Sequence, residues 1–388
     1  MKKQFYRLFV ILLALMLGIG GMTAPAAALE LEAPQDSLEL NCKSAVLMEA
    51  TTGKVLYAQN PDEALPPASV TKIMTLLLVM EAIDAGKIAL SDMVSASEYA
   101  ASMGGSQVYL KVGETMSVED MLKSVVISSA NDAAVALAEF VSGDVNTFVK
   151  QMNERAKELG MTSTVFENVT GLDDTAEHHL TSARDIALMS RALIAHPTIL
   201  KYSSIWMDTI RNGAFGLTNT NRLVRFYRGA TGLKTGSTSK AGFCVSVTAE
   251  RDGLALICVI MGAESRDVRN AQATKLLDWG FANYASFCAE GQSVGEIRVL
   301  GGVQSRCTVG YDTFNAVLPK GSVGKIEQKI EIDEQAAAPI KVGEEVGRVQ
   351  YLLDGEVIGE VPVVAKQDVA KIGFWGLWQR LLAKILLL

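Results

Sequence analysis

Histidine is nearly absent from this chain, with three copies in 388 residues. That is too few to build a metal centre, so no metal or other cofactor is expected. Cysteine is sparse as well: Cys42, Cys244, Cys258, Cys288 and Cys307. The number is odd and no C-x-x-C pair occurs, which excludes a zinc-ribbon site and a dense disulfide framework. Cys244 and Cys258 fall in apolar, strand-like runs and read as buried thiols; a single disulfide is left open. Positive charge is in deficit, with 36 Lys and Arg against 43 Asp and Glu. A net charge of −7 argues against non-specific nucleic-acid binding. Long apolar runs are missing, except near the start. There Lys2, Lys3 and Arg7 precede an apolar stretch from Leu8 to Ile19, shorter than the roughly 20 residues a membrane span needs. Ala26-Ala27-Ala28 then offers the small residues that a signal peptidase reads. Residues 1–28 are expected to be a signal peptide, cleaved after Ala28, leaving a net charge of −10. An uncleaved membrane helix is the alternative. Both place the body of the protein outside the cytoplasm.

What remains is 49% hydrophobic and 20% charged, enough for a sizeable core. Ser44–Glu49 and Lys54–Gln59 read as a hairpin turning through Ala50-Thr51-Thr52-Gly53. Residues 87–115 are mixed and Gly-rich. Met121–Ser142 has helical periodicity, interrupted at Ser128–Asp132. Val145–Leu159 is a second helix closed by Gly160. A third opens at Thr181 or Ser182 and ends at Pro197. Ala241–Glu250 and Leu254–Gly262, joined by Arg251-Asp252-Gly253, are apolar and β-branched, a central antiparallel pair. Asp267–Tyr284 closes this part as a helix. Composition shifts near residue 286, and residues 286–365 alternate between Gly and Asp turns as a small all-β domain. In the tail, residues 366–388, Phe374, Leu377, Trp378, Leu381, Ile385 and Leu388 share one helical face, with charges on the other. That pattern is an amphipathic helix lying in the plane of a membrane, or else one packed on the protein's own core.

The most informative stretch runs from Pro66 to Thr75. Pro66 and Pro67 hold the approach extended, and Ser69 then opens a helix that is apolar nearly all round and so should be buried. Residues three apart share a helical face, so Ser69 and Lys72 point the same way: a hydroxyl beside a buried amine, a nucleophile and its base. S-x-x-K alone is weak, since it recurs at Ser237 and Ser322. Two further short motifs strengthen it. Ser129-Ala130-Asn131 is the sole S-x-N and Lys234-Thr235-Gly236 the sole K-T-G in the chain. Alone, Ser129 could cap its helix and Lys234 could be a solvated strand end. In this order, on a helix, a loop between helices and a strand edge, the three motifs are hard to ascribe to chance.

On these motifs the chain resembles the serine acyl-transferases that bind penicillin, and among them the D-alanyl-D-alanine carboxypeptidases of low molecular mass. Pro67–Thr75, Thr52–Leu56, Gly171-Leu172-Asp173, Thr181–Asp185 and Gly232–Gly242 carry the likeness, which spans nearly the whole mature chain. The resemblance implies an α+β fold: a β-lactamase/transpeptidase-like domain with an antiparallel sheet and helices on both faces (29–285), the small β domain (286–365) and the C-terminal amphipathic helix (366–388). It implies an exported enzyme on the outer face of the bacterial cytoplasmic membrane, with peptidoglycan stem peptides as substrate and β-lactams as inhibitors. Catalytic roles fall to Ser69, Lys72 and Ser129, and substrate contacts to Asn131, Lys234, Thr235, Gly236, Ser237 and Arg269. Asn131 would orient Lys72 or the substrate amide, and the N–H groups of Ser69 and Ser237 would form the oxyanion hole. Arg269 is read either as a carboxylate partner or as a surface arginine. Two departures stand out. Ser237 follows K-T-G where some relatives have histidine, and no glutamate motif of the β-lactamase kind is found. A D,D-endopeptidase, a β-lactamase and an inactive wall-binding scaffold are the competing readings.

Overall fold

The computed structural model describes residues 38–173 and 176–385; the expected signal peptide lies outside them. The described chain divides into two units. One runs to Gly291 and includes Thr313–Lys325; the other comprises Gln292–Asp312 and the chain from Ile326 onward.

The first unit is built on a five-stranded antiparallel sheet. Its strands are β1 (Ser44–Glu49), β2 (Val55–Gln59), β3 (Ala230–Thr238), β4 (Gly242–Arg251) and β5 (Leu254–Ala263), in the order β2-β1-β5-β4-β3. Alternate residues of one strand point to opposite faces, and here both faces are covered. In β5, Ile257, Val259 and Met261 enter one core, while Leu254, Leu256, Cys258 and Ile260 enter the other. β1 divides the same way, Val46 and Met48 against Ala45 and Leu47. That is why these strands read as unbroken apolar runs.

Helices α1 (Lys72–Asp84), α2 (Val118–Ser128), α3 (Asn131–Ser142), α4 (Val145–Glu158) and α5 (Ala183–Ile194) fill the first core. Helix α6 (Arg266–Asn283) covers the opposite face through Ala273, Leu276 and Leu277. Within α1, Ile73, Met74, Leu76, Leu77, Val79 and Met80 are all buried, each contributing about 1.5–3 kcal/mol. Gly86, at φ +67°, ends the helix behind Ala85.

Several local expectations change. Ser69 is not a helix cap: Ala68–Thr71 forms a 3-10 turn with Pro67 before it and no side-chain cap, and α1 begins at Lys72. The interruption expected at Ser128–Asp132 is kept: the stretch to Ser142 is two helices, broken where Ser129 takes a left-handed φ of 64°. Helix α5 stops at Ile194, and Pro197 opens the next helix, Pro197–Ser203, at a position where its missing N–H has no partner to lose. The mixed region contains paired strands Met93–Ser95 and Thr115–Ser117. A hairpin, Met207–Ile210 with Phe215–Thr218, and a short helix, Leu223–Phe226, fill a segment that carried no clear sequence signal.

The second unit contains a six-stranded sheet, in which the hairpin of Glu345–Leu353 with Glu356–Ala365 turns at Asp354-Gly355, both at positive φ. Its helix, α7 (Phe374–Ile385), is shorter than the 366–388 segment. Val369 instead pairs with Ile340 through the backbone, and residues 386–388 lie outside the described chain. Phe374, Trp375, Leu377, Trp378, Leu381 and Ile385 are exposed. The Arg380 guanidinium donates to the carbonyls of Gly302 and Val303. No helix among the described residues is long and apolar enough to cross a membrane.

Candidate active site

The 3-10 turn places Ser69 one turn before Lys72, with Lys72 Nζ 2.9 Å from Ser69 Oγ. The amine also donates to the Thr170 carbonyl at 2.8 Å and is fully buried. Burial holds its pKa well below the ordinary lysine range, and the Lys234 charge lowers it further, while the Asp132 carboxylate opposes the shift. A neutral amine beside a hydroxyl is a base able to take the hydroxyl proton.

Helix α2 ends at Ser129, whose N–H returns to the Ser124 carbonyl. That left-handed residue turns its hydroxyl towards the outermost strand, β3, where Lys234 Nζ donates to Ser129 Oγ at 2.8 Å and to the Thr235 carbonyl at 2.9 Å. Lys234 is buried, and its pKa falls to about 7, first through burial and then through the nearby Arg269 charge. The Thr235 hydroxyl donates to Thr220 Oγ1 at 2.8 Å. Gly236 allows β3 to approach the serine turn, because a Cβ there would lie 2.8 Å from both Ser69 N and the Pro67 carbonyl oxygen.

Asn131 opens α3. Its backbone N–H donates to the Ser106 carbonyl at 2.7 Å and its Nδ2 to the Gly104 carbonyl at 2.7 Å, while Oδ1 is buried with no partner among the described residues. Lys72 bonds Ser69 and Thr170 rather than Asn131. Arg269 is only 3% exposed, which sets aside the surface reading. Its Nη1 donates to the Cys244 carbonyl, its Nε and Nη2 donate to Asn270, and burial lowers its pKa to about 10.

Ser69, Ser129, Thr235, Gly236, Ser237 and Arg269 line one cleft of about 440 Å³, and among the described residues no Asp or Glu lines it. Lys72, Asn131 and Lys234 are not among the residues that line it. Sequence reasoning missed Trp206, Thr220 and Arg222, which line the cleft from the segment it left unassigned. It also missed Thr170, whose contribution is a backbone carbonyl and leaves no side-chain signal. The other two S-x-x-K copies do not repeat the pair: Lys240 bonds the Asp173 carbonyl at 3.3 Å, and Ser322 precedes a short 3-10 turn.

A serine hydroxyl bonded to a buried lysine of lowered pKa, faced by a second lysine bonded to a second serine, is an arrangement suited to serine acyl transfer. The sequence matches the family model for D-alanyl-D-alanine carboxypeptidase over residues 30–265, and that for the C-terminal domain of penicillin-binding protein 5 over residues 283–371. It is 44% identical over 373 residues to the D-alanyl-D-alanine carboxypeptidase DacF of Bacillus subtilis, covering 94% of this chain and 95% of that protein. Penicillin-binding protein 5 from Haemophilus influenzae is similar in structure, with a TM-score of 0.76 and 33% identity over 87% of this chain and 99% of that one. Penicillin-binding protein D2 from Listeria monocytogenes, solved in an ampicillin-bound form, gives a TM-score of 0.58 at 34% identity, over 63% of this chain and 99% of that one. The chain therefore belongs to the D-alanyl-D-alanine carboxypeptidase family, peptidase family S11, with the C-terminal domain of penicillin-binding protein 5. Its activity is that of a serine-type D-alanyl-D-alanine carboxypeptidase of peptidoglycan metabolism.

Proposed function

We propose that Ser69 carries the acyl group and that the reaction removes the terminal D-alanine from peptidoglycan pentapeptide stems. One observation carries this reading: Ser69 Oγ lies 2.9 Å from an amine whose pKa burial holds well below the ordinary lysine range. Lys72 Nζ takes the Ser69 proton as Oγ attacks the carbonyl between the two D-alanines. The N–H groups of Ser69 and Ser237 receive the oxyanion, a contribution of about 3 kcal/mol per donor. Ser129, held by Lys234 Nζ, relays the proton that Lys72 has taken to the departing D-alanine amine, which leaves Lys72 neutral again. Water then attacks the ester with Lys72 again as base, and Ser69 recovers its proton. Asn131 Oδ1 accepts from the substrate amide. Lys234, Thr235, Ser237 and Arg269 hold the terminal carboxylate. A carboxylate arriving beside Lys234 favours its charged form, so binding offsets the lowering seen in the empty cleft.

A β-lactam places its own carbonyl in the same position and acylates Ser69. Among the described residues no Asp or Glu lines the cleft to activate water, and slow hydrolysis of the adduct is the expected outcome. Helix α7, with two tryptophans on an exposed apolar side and Lys384 among its cations, lies in the membrane interface. It would hold the exported enzyme at the outer face of the cytoplasmic membrane.

The test is D-alanine release from a pentapeptide ending in D-Ala-D-Ala. Wild type should release it, and Ser69→Ala and Lys72→Ala should each lose about 10³-fold or more. Release that survives Ser69→Ala would contradict the assignment.

A further inference from the structure

The turn that carries Ser69 is held by groups outside the reacting set. Ala68, directly before the serine, has φ +49°, a conformation an L residue keeps only where its surroundings over-determine it. Its carbonyl accepts the Thr71 hydroxyl at 2.8 Å. Gly171 presses on the same carbonyl so closely that a Cβ there would lie 1.8 Å from the oxygen.

The proton of Thr71 is committed to Ala68, so Thr71 Oγ1 can only accept from His179 Nε2, 2.7 Å away. On the other side of the ring, the Glu167 N–H points at Nδ1 from 3.0 Å, so Nδ1 accepts. Both contacts select the neutral tautomer with its proton on Nε2. An imidazolium would set an Nδ1 proton against the Glu167 N–H. Burial keeps the ring neutral down to about pH 4, with the Glu167 carboxylate opposing and the Lys72 charge adding to the shift. Phe166 packs against the ring at 5.7 Å, edge to face. The same segment supplies the Thr170 carbonyl to Lys72.

We propose that Thr71 and His179 are positioning residues: two hydrogen bonds in series fix the Ala68 carbonyl and thereby hold Ser69 Oγ against Lys72. Neither side chain touches substrate, and no proton passes along the pair. The proposal rests on the reading of Ser69 as nucleophile.

The experiment measures the acylation rate constant with a fluorescent penicillin, together with kcat and KM for D-alanine release and the thermal midpoint. The proteins compared are wild type, Thr71→Val, His179→Leu, the double variant, Thr71→Ser and His179→Gln. Removing either hydrogen bond should slow acylation about 10–100-fold, the size of effect that an ångström of misplacement produces. The loss should fall in kcat with KM little changed. The double variant should be no slower than the poorer single one, and Thr71→Ser and His179→Gln should recover to within a few-fold of wild type. Folded Val and Leu variants that acylate within about threefold of wild type, or a loss confined to KM, overturn the proposal. Should those variants not fold, nitrogen NMR of histidine-labelled wild type decides. The His179 proton belongs on Nε2 between pH 5 and 8, with a signal that moves on acylation, and an Nδ1 proton refutes the arrangement. Mass mapping of the wild-type adduct separates the two claims. No label at Ser69 defeats the nucleophile assignment, whereas a labelled wild type with indifferent variants defeats only the positioning pair.

Discussion

Replacing Gly236 by alanine adds one methyl group where strand β3 meets the serine turn. The new Cβ would lie 2.8 Å from Ser69 N and from the Pro67 carbonyl oxygen, and 2.9 Å from Val70 N, about 0.6 Å short of ordinary contact at 3.4 Å. All three neighbours are backbone, so no side chain can swing away, and either β3 or the turn must move. Overpacking of this kind costs about 1–3 kcal/mol. The larger effect should be on rate. The displaced pair is the N–H of Ser69 and the strand carrying Ser237, the two proposed oxyanion donors. Losing one such donor costs about 10²–10³ in kcat, and a shift of half an ångström should forfeit part of that, about 10–100-fold. The assay is the acylation rate with a fluorescent penicillin, beside a thermal melt on the same preparation. A variant that melts within a few degrees of wild type and acylates within about threefold would refute the claim that β3 must approach the turn this closely.

The remaining predictions concern charge and exposure. Lys72 is lowered by burial and then by Lys234, so Lys234→Gln removes one lowering cause and raises the Lys72 pKa. The acidic limb of the acylation–pH profile should then move to higher pH, and an unmoved limb would show that Lys234 does not tune the base. Arg269→Ala removes a buried cation from the cleft and should weaken use of peptides with a free terminal carboxylate by about 10–100-fold, the worth of one charge-assisted hydrogen bond. A peptide amidated at its terminus should show no such difference between variant and wild type, and an equal loss on both would contradict the role. All five cysteines are unpaired, with Cys288 exposed and Cys244, Cys258 and Cys307 buried, and burial raises the Cys42 and Cys244 thiols to about pKa 11. A thiol reagent on native protein should modify Cys288 first, and intact mass should show five thiols; any disulfide would be inconsistent with this packing.

What could be read in the sequence was what leaves a periodic or covalent trace. The strands β1, β4 and β5 declared themselves because both of their faces are buried, and α1 because it is apolar all round. Ser69 and Lys72 were legible from their spacing, although the spacing is delivered by a 3-10 turn rather than by the start of a helix. Ser129 lies between two helices because it adopts a left-handed conformation, which a serine does not advertise. The partners that finish the site left no pattern. Thr170 acts through its carbonyl, Thr220 and Trp206 come from a hairpin and loop of low periodicity, and His179 reaches Thr71 across 108 positions of chain. Pro197 looked like a terminator because proline breaks helices in their interior, yet at the first position it starts one. The return of Thr313–Lys325 to the first unit is a long-range strand pairing of Phe314–Pro319 with Tyr284–Ala289, and local composition cannot encode that.

The most direct test of the account is intact-protein mass spectrometry with and without penicillin G, followed by peptide mapping. One added penicillin on the peptide containing Ser69, absent in Ser69→Ala and persisting over hours, is the predicted result. An adduct on another residue, or rapid turnover of the drug with no adduct at Ser69, would contradict the central claim.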